Sequence, residues 1–507
     1  MWFVFELAVE NSPPESLALL NPPAHTVHLS ERRSSLILSL VLIAALGIGS
    51  VFWGEKIAIH QGFGWDGQIY GTLAREMNFR ALGDYSFQRI LPSTLVHAAL
   101  VTLRQPLDNE HIVRAFGLLN LGMMLIACIL YREIADELQL GQRGFWFGFA
   151  AIFVNFAHCK GIWYCPVVTD PTAMALSLAM LLCYLRGQIV RLLLSTFLGA
   201  FTWPTLIYAG TFLLAFRPIP LKEEKSNRPM WLAVALALAV CAWAIVHYYV
   251  HDGGVGPGLA QPIAWAMPLS IFLAGLYMYL GSATLLQRMS LTGCLKQVIP
   301  SRIILAIALW AACTIPVYLW ADHSIDNVTA HRAIRDIVVR SAVKPLGFLV
   351  SHPVYFGPAF LMFLFCWRSF SRIVAHYGAG LVAVVLMGVF TSLTPESRQS
   401  LPSYVMAAPF LGVLVDELAL PPRFFWLFGA VALLSTKVWM RMGLPATDDG
   451  QYLSFPMQNL FMNSGVWMNN QMYVIQGGIV LAVAGLFYVH LRQAVKGGVV
   501  QPASRME

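Results

Sequence analysis

The sequence predicts an all-α integral membrane protein, a polytopic bundle of about 12 to 14 helical spans, each needing roughly 20 apolar residues. Three observations carry that expectation. Hydrophobic residues fill 58% of 507 positions and charged residues only 12%, about half the charged share of an ordinary soluble domain. Apolar runs of span length recur from Leu36 to His490, and helices satisfy their own backbone groups in hydrocarbon. Short basic loops alternate with longer polar ones along the whole chain. The net charge of +7 sits mostly in those short loops, where the positive-inside rule accounts for it. It does not point to nucleic acid. Eight cysteines are scattered without CxxC pairing and read as small core residues. Cys159 and Cys165 flank a short loop and could pair if it faces an oxidising compartment.

Residues 1–35 carry Pro-Pro twice and end in Glu31-Arg32-Arg33, which reads as a disordered cytoplasmic tail with no cleavable signal. The membrane domain is expected over 36–490, with a first outer loop at about 54–110, and residues 491–507 as a second cytoplasmic tail. Leu36 to Trp53 is the first outward span. Ile90 to Leu103 is apolar but only about 14 residues long, too short to cross comfortably. If it crosses, the loop RGQIVR (Arg186 to Arg191) falls outside; if it lies on the outer surface, RGQIVR falls inside, as the positive-inside rule favours. Spans then follow from His111 to Tyr131, Phe145 to His158, and inward from Asp170 to Leu185. Leu192 to Phe216 is interrupted by Trp203-Pro204, and proline there removes a backbone hydrogen bond. Two half-spans are expected, because a single kinked helix would place Arg217, Lys222, Lys225 and Arg228 outside. Later spans are placed at 231–250, 262–286, 303–320, 345–367, 374–391, 402–418, 423–440 and 474–490.

The outer loops hold the chemistry. In GWDGQIYGTLAREMNFRALGDYSFQRILP (Gly64 to Pro92), Asp66 stands where a helix N-cap belongs, with Ile69, Leu73 and Met77 every fourth residue behind it. Such a helix lies along the bilayer and holds a carboxylate at the mouth of the membrane body. Asp84, Gln88 and Arg89 close the same loop. Asp170, in YCPVVTDPTAMAL, opens a helix with Pro171 in its first turn; a plain capping role competes with a functional one. The loop ADHSIDNVTAHRAIRDIVVRSAVK brings His331, Arg332, Arg335, Arg340 and Lys344 outside. Arg332 and Arg335 share a face that suits phosphate oxygens, against internal pairing of Asp336 with Arg332 and Arg340. Glu396 and Arg398, in TPESRQSLPSY, precede an inward span. Acids are costly in or near hydrocarbon, which makes those that persist there candidates for function.

Walker, HExxH and GxSxG motifs are absent, as is a dense His/Cys metal set. Gly67 follows Asp66 where a second acid would signal a divalent metal, so a metal is left open and no cofactor is implied with certainty. The last outer loop mixes Asp448 and Asp449 with amides and aromatics, which suit a sugar or lipid head group or merely anchor the boundary.

The pattern Trp-Asp-Gly-x-x-Tyr-x-x-Leu-Ala (Trp65 to Ala74, with Tyr70 as its tyrosine) resembles the polytopic type-C (GT-C) glycosyltransferases. It is most similar to the glycosylphosphatidylinositol mannosyltransferase II family and its bacterial relatives. LAREM (Leu73 to Met77) resembles the loop helix of the protein-O-mannosyl and aminoarabinose transferase branch. The likeness covers about the first 220 residues. It implies a GT-C-like fold and a polyprenyl-phosphate sugar donor. The acceptor would be an envelope glycan, glycolipid or protein on the outer face of a bacterial inner membrane. On that reading Asp66 is the base and Asp170 a supporting acid. Tyr70, Asp84, Gln88, Arg89, His331, Arg332, Arg335, Glu396 and Arg398 bind substrate. A transporter or lipid flippase, or a non-catalytic envelope assembly factor of the same fold, are the competing readings.

Overall fold

The computed structural model describes residues 29–221, 229–250, 262–325, 330–418, 420–442, 465 and 468–496, and among them there is no strand. The first helix, α1 (Leu29–Trp53), starts ahead of the expected Leu36 and takes in part of the presumed tail. After it come α2 (Trp65–Glu76), α3 (Ile90–Thr102), α4 (Asn109–Glu137), α5 (Gln142–Phe153) and α6 (Asp170–Leu185). The broken pair is α7 (Ile189–Ala200) and α8 (Thr205–Ala215). The second half runs through α9 (Met230–Ile245), α10 (Met267–Leu286), α11 (Pro300–Trp320), α12 (Ala330–Ser341) and α13 (Gly347–Phe356). It ends with α14 (Ala359–Phe365), α15 (Trp367–His376), α16 (Ala379–Thr391), α17 (Leu401–Leu418), α18 (Pro422–Ser435) and α19 (Asn470–Lys496).

Seven helices among the described residues are long and apolar enough to cross a membrane. A bent pair, Gln142–Phe153 with Ala157–Tyr164 at 53°, could serve as one more. Six further apolar helices have 10–17 residues, including α6, α7, α8 and α16, so the expected 12–14 spans are met by full-length helices only in part. Apolar residues cover the outward faces of α1, α9, α11 and α19, as lipid contact requires. The chain is a multi-pass helical membrane protein. Exposed tryptophans mark both boundaries: Trp53, Trp265, Trp320 and Trp439 at one end, Trp231 and Trp426 at the other, as amphipathic rings settle at head-group level.

Helix α17 is the axis, buried along most of its length between α5, α6 and α16. Its last turn anchors α5: the Asp416 carboxylate accepts from the Gly141 and Gly144 backbone N–H groups at 2.8 and 2.9 Å. A negative group there meets the positive end of the helix. The same end holds Arg186, bonded to Glu133 and Glu137 of α4 at 2.6 and 2.7 Å, so RGQIVR lies opposite the candidate site described below.

Helix α3 stays at one end of the bundle. Leu91 N–H reaches the Phe201 carbonyl at 2.9 Å, and beyond the helix Leu107 O and Asn109 both accept from Arg75 of α2. Both ends thus lie on the side of the bundle that carries α2 and the Trp203 hairpin. The Trp203-Pro204 interruption is a tight hairpin: Thr196 packs against Gly210 and Leu206 against Gly199, positions about equally far from Trp203. The span expected at 345–367 is broken at Gly357-Pro358, where Gly357 takes φ +75°, a conformation that glycine adopts at little cost. Asp448 and Asp449 of the final outer loop, and the residues before 29, lie outside the described residues.

Candidate active site

Helix α2 buries a broader face than the Ile69–Leu73–Met77 stripe. Tyr70 and Ala74 pack with Phe63, Val96, Leu100, Ile112, Phe116 and Val167, while Leu73 faces Leu82, Phe87 and Val317. Ile69 points outward, and Met77 ends the helix in a left-handed turn at φ +50°. Asp66 is not the cap; Gly64 is, and Asp66 stands inside the first turn. Gly67 is small because Val167 is close. A Cβ at position 67 would lie 2.8 Å from the Val167 carbonyl oxygen and 3.0 Å from its Cβ, so a second acid is sterically excluded there.

The 392–400 loop brings Arg398 to both acids. Its Nε and Nη2 donate to the two oxygens of Asp170, each at 2.9 Å, and its Nη1 donates to Asp66 Oδ2 at 3.2 Å. Asp170 is buried, its side chain 4% exposed, whereas that of Asp66 is 50% exposed. The α6 cap is Thr169, without a side-chain bond, and Pro171 stands in the first turn. Asp170 thus serves Arg398 and caps nothing. Asp66 Oδ1 carries no hydrogen bond among the described residues, and the side chain is half exposed.

The loop is clasped from below by α13. Ser351 bonds the Pro395 carbonyl, His352 Nδ1 lies 2.9 Å from Ser397 Oγ, and its Nε2 lies 2.7 Å from the Ser392 carbonyl. From above, Arg340 of α12 holds Glu396 at 2.6 Å.

A second guanidinium stands behind the first. Arg89 is 1% exposed, with its guanidinium 4.1 Å from the Trp203 ring and 4.2 Å from the Tyr85 ring. It donates to Tyr70 Oη at 2.9 Å and to Tyr85 Oη. Trp203, at the hairpin tip, also lies 5.7 Å from the Arg398 guanidinium and so stands between the two cations, on whose charge its ring face is attractive. Burial pushes the Tyr70 and Tyr85 hydroxyls above the usual phenol range, with Arg89 partly opposing it.

The sequence-predicted residues thus divide. Asp66, Asp170, Arg398, Arg89 and Tyr70 come together, and Gln88 is half-buried next to Arg89. Asp84 turns away, 2.7 Å from His323 Nδ1. Arg335 bonds its neighbour Asp336, and Arg332 lies on the exposed side of α12; neither reaches the acids. His331 lies in the first turn of α12, its side chain outside the described residues. Sequence reasoning passed over Tyr85 and Trp203 as site residues, although an aromatic at a proline-broken hairpin was a visible signal. Cys159 and Cys165 are both free. Their thiols face the Phe153 and Phe63 carbonyls, and burial lifts Cys165 to about 12.

Among the described residues no three His, Cys, Asp or Glu side chains gather as metal ligands. Asp170 gives both oxygens to Arg398 and Asp66 gives one, so the donor set does not fit a divalent ion.

No protein-family profile matches the chain, and no curated protein matches it. Among solved structures it is similar to the archaeal oligosaccharyltransferase AglB from Archaeoglobus fulgidus, in complex with an inhibitory peptide and a dolichol-phosphate. The two share 12% sequence identity at a TM-score of 0.38, over 89% of this chain and 56% of that one. The chain therefore spans a little over half the length of that protein.

Proposed function

We propose that this protein is a membrane glycosyltransferase of GT-C type. It would move a sugar from a polyprenyl-phosphate donor to a glycan, glycolipid or protein acceptor at the membrane face that carries Asp66. One observation carries the reading: a half-exposed carboxylate, Asp66, held by a guanidinium whose other arm is fixed to buried Asp170. The likeness of Trp65 to Ala74 to the mannosyltransferase II family supports the same class, and the short basic loop RGQIVR at the opposite end supports an outward-facing site.

The chemistry follows from the positions. The acceptor oxygen bonds to the anomeric carbon of the donor while the C–O bond to phosphate breaks. The electron pair leaves with the phosphate, and the acceptor proton passes to the half-exposed Asp66 carboxylate. Arg398 faces the charge that grows on the leaving phosphate. Asp170 is a positioning residue that sets the orientation of Arg398 and does not meet substrate. The described ion pairs gather near the ends of the helices, whereas transporters place ionisable groups near the midplane.

The test is sugar transfer by purified, lipid-reconstituted protein offered labelled polyprenyl-phosphate sugars. Wild type consumes one donor and Asp66→Asn does not. Full transfer by Asp66→Asn removes the base assignment, and no transfer from any donor by folded wild type moves the protein to the transporter or assembly class.

A further inference from the structure

Arg89 is a buried cation whose described hydrogen bonds go only to phenol oxygens, those of Tyr70 and Tyr85. Arg398, by contrast, is matched by two acids. A phenol carries a single O–H. Once its oxygen accepts from a guanidinium, the proton must point elsewhere, and that acceptance strengthens it as a donor. Neither phenol proton meets an acceptor among the described residues. Tyr70 is buried at 3% exposure, while Tyr85 is part-exposed. Both feel the charges of Asp66 and Arg398, and Tyr85 also that of Glu396. The cage is rigid, because Arg89 is pressed between the Tyr85 and Trp203 rings. A part-exposed O–H donor backed by a fixed positive charge suits an oxyanion better than a neutral hydroxyl.

We infer that Tyr85 donates its hydroxyl proton to a phosphoryl oxygen of the substrate, with Arg89 polarising it and Tyr70 and Trp203 holding Arg89 in place. This rests on the phosphate-linked donor proposed above. It assigns phosphate recognition to the end of the first loop, away from the arginines of α12. The opposite side of the phosphate then faces Arg398. The ligand chemistry is a phosphate monoester or diester, from a lipid or from solution.

The experiment measures binding of farnesyl phosphate, farnesol and inorganic phosphate to reconstituted wild type and Tyr85→Phe, alongside sugar transfer. Phenylalanine keeps the ring over Arg89, and a melting curve verifies the fold. Wild type should bind farnesyl phosphate at least about tenfold tighter than farnesol, and Tyr85→Phe should lose roughly tenfold of that preference, the worth of one hydrogen bond to a charged group. Inorganic phosphate bound as tightly as farnesyl phosphate, and lost in the variant, assigns a soluble phosphate as the source. Equal binding of phosphate and alcohol by wild type, or an unchanged preference in folded Tyr85→Phe, overturns the inference. The two proposals fail separately. A Tyr85-dependent phosphate preference without sugar transfer removes the glycosyltransferase and keeps the phosphate contact; transfer with an unaltered preference does the reverse.

Discussion

Arg398 meets the Asp170 carboxylate through two parallel hydrogen bonds of 2.9 Å, although 228 positions separate them in the chain. This fork–fork pair is buried on the Asp170 side, and removing one partner strands a charge away from water. Asp170→Ala should therefore cost roughly 3 kcal/mol. Arg398→Lys should cost nearly as much, because an ammonium cannot reproduce the planar fork. Unfolding in detergent measures both. Asp66→Asn is the contrast: its exposed contact contributes under about 1 kcal/mol, so the protein should melt like wild type while transfer disappears.

Gly67 sits against Val167, with no room for a Cβ. Gly67→Asp, which sets a second acid beside Asp66, should lower stability by roughly 1–3 kcal/mol through overpacking. A variant that melts normally and gains metal-dependent activity would overturn this account.

The hairpin tip offers another test. Trp203 is fully buried and flanks both guanidiniums. Trp203→Ala should destabilise the protein by roughly 3–5 kcal/mol, the usual loss for a large core aromatic. Trp203→Phe keeps a ring face for Arg89 and should recover much of that in the same melting assay.

His323 and Asp84 give a pH signature. His323 donates to the Asp84 carboxylate and to the Tyr318 carbonyl, and these bonds, the first the larger cause, raise its pKa above the ordinary value. A raised histidine stabilises fully below the unfolded value of about 6.5 and loses the effect as pH climbs through the folded pKa. The melting difference between wild type and His323→Gln should thus be largest near pH 5 to 6 and fade on the alkaline side. A difference that grows with pH would contradict the pairing.

Much of the site was legible because membrane proteins leave few places for charge. Asp66, Asp170 and Arg398 stood out as acids and a cation at helix ends, and the Trp203-Pro204 break followed from the missing proline N–H. Three things were not legible. Helix phase in α2 depends on which neighbours it meets, and Tyr70 and Ala74 found them where Ile69 did not. On α12 the expected pairing of Asp336 with Arg340 is present at 4.0 Å, but the closer bond of Arg340 to Glu396 was decided by tertiary approach. The Arg89 cage needs two aromatics from distant segments, Tyr85 and Trp203, and no local pattern announces such a meeting.

Asp66, Asp170 and Arg398 leave the ribosome in that order. A growing chain that has delivered α2 and α6 to the membrane holds both acids and has not yet made the guanidinium that bonds them. Until the 392–400 loop arrives and α17 threads the centre, Asp170 has the more distant charge of Arg89 to answer it, while the half-exposed Asp66 has water. Truncation anywhere before that loop leaves more than a missing helix: it leaves Asp170 without the guanidinium that takes both of its oxygens. The long reach between partners thus ties the maturation of the bundle to completion of its last third.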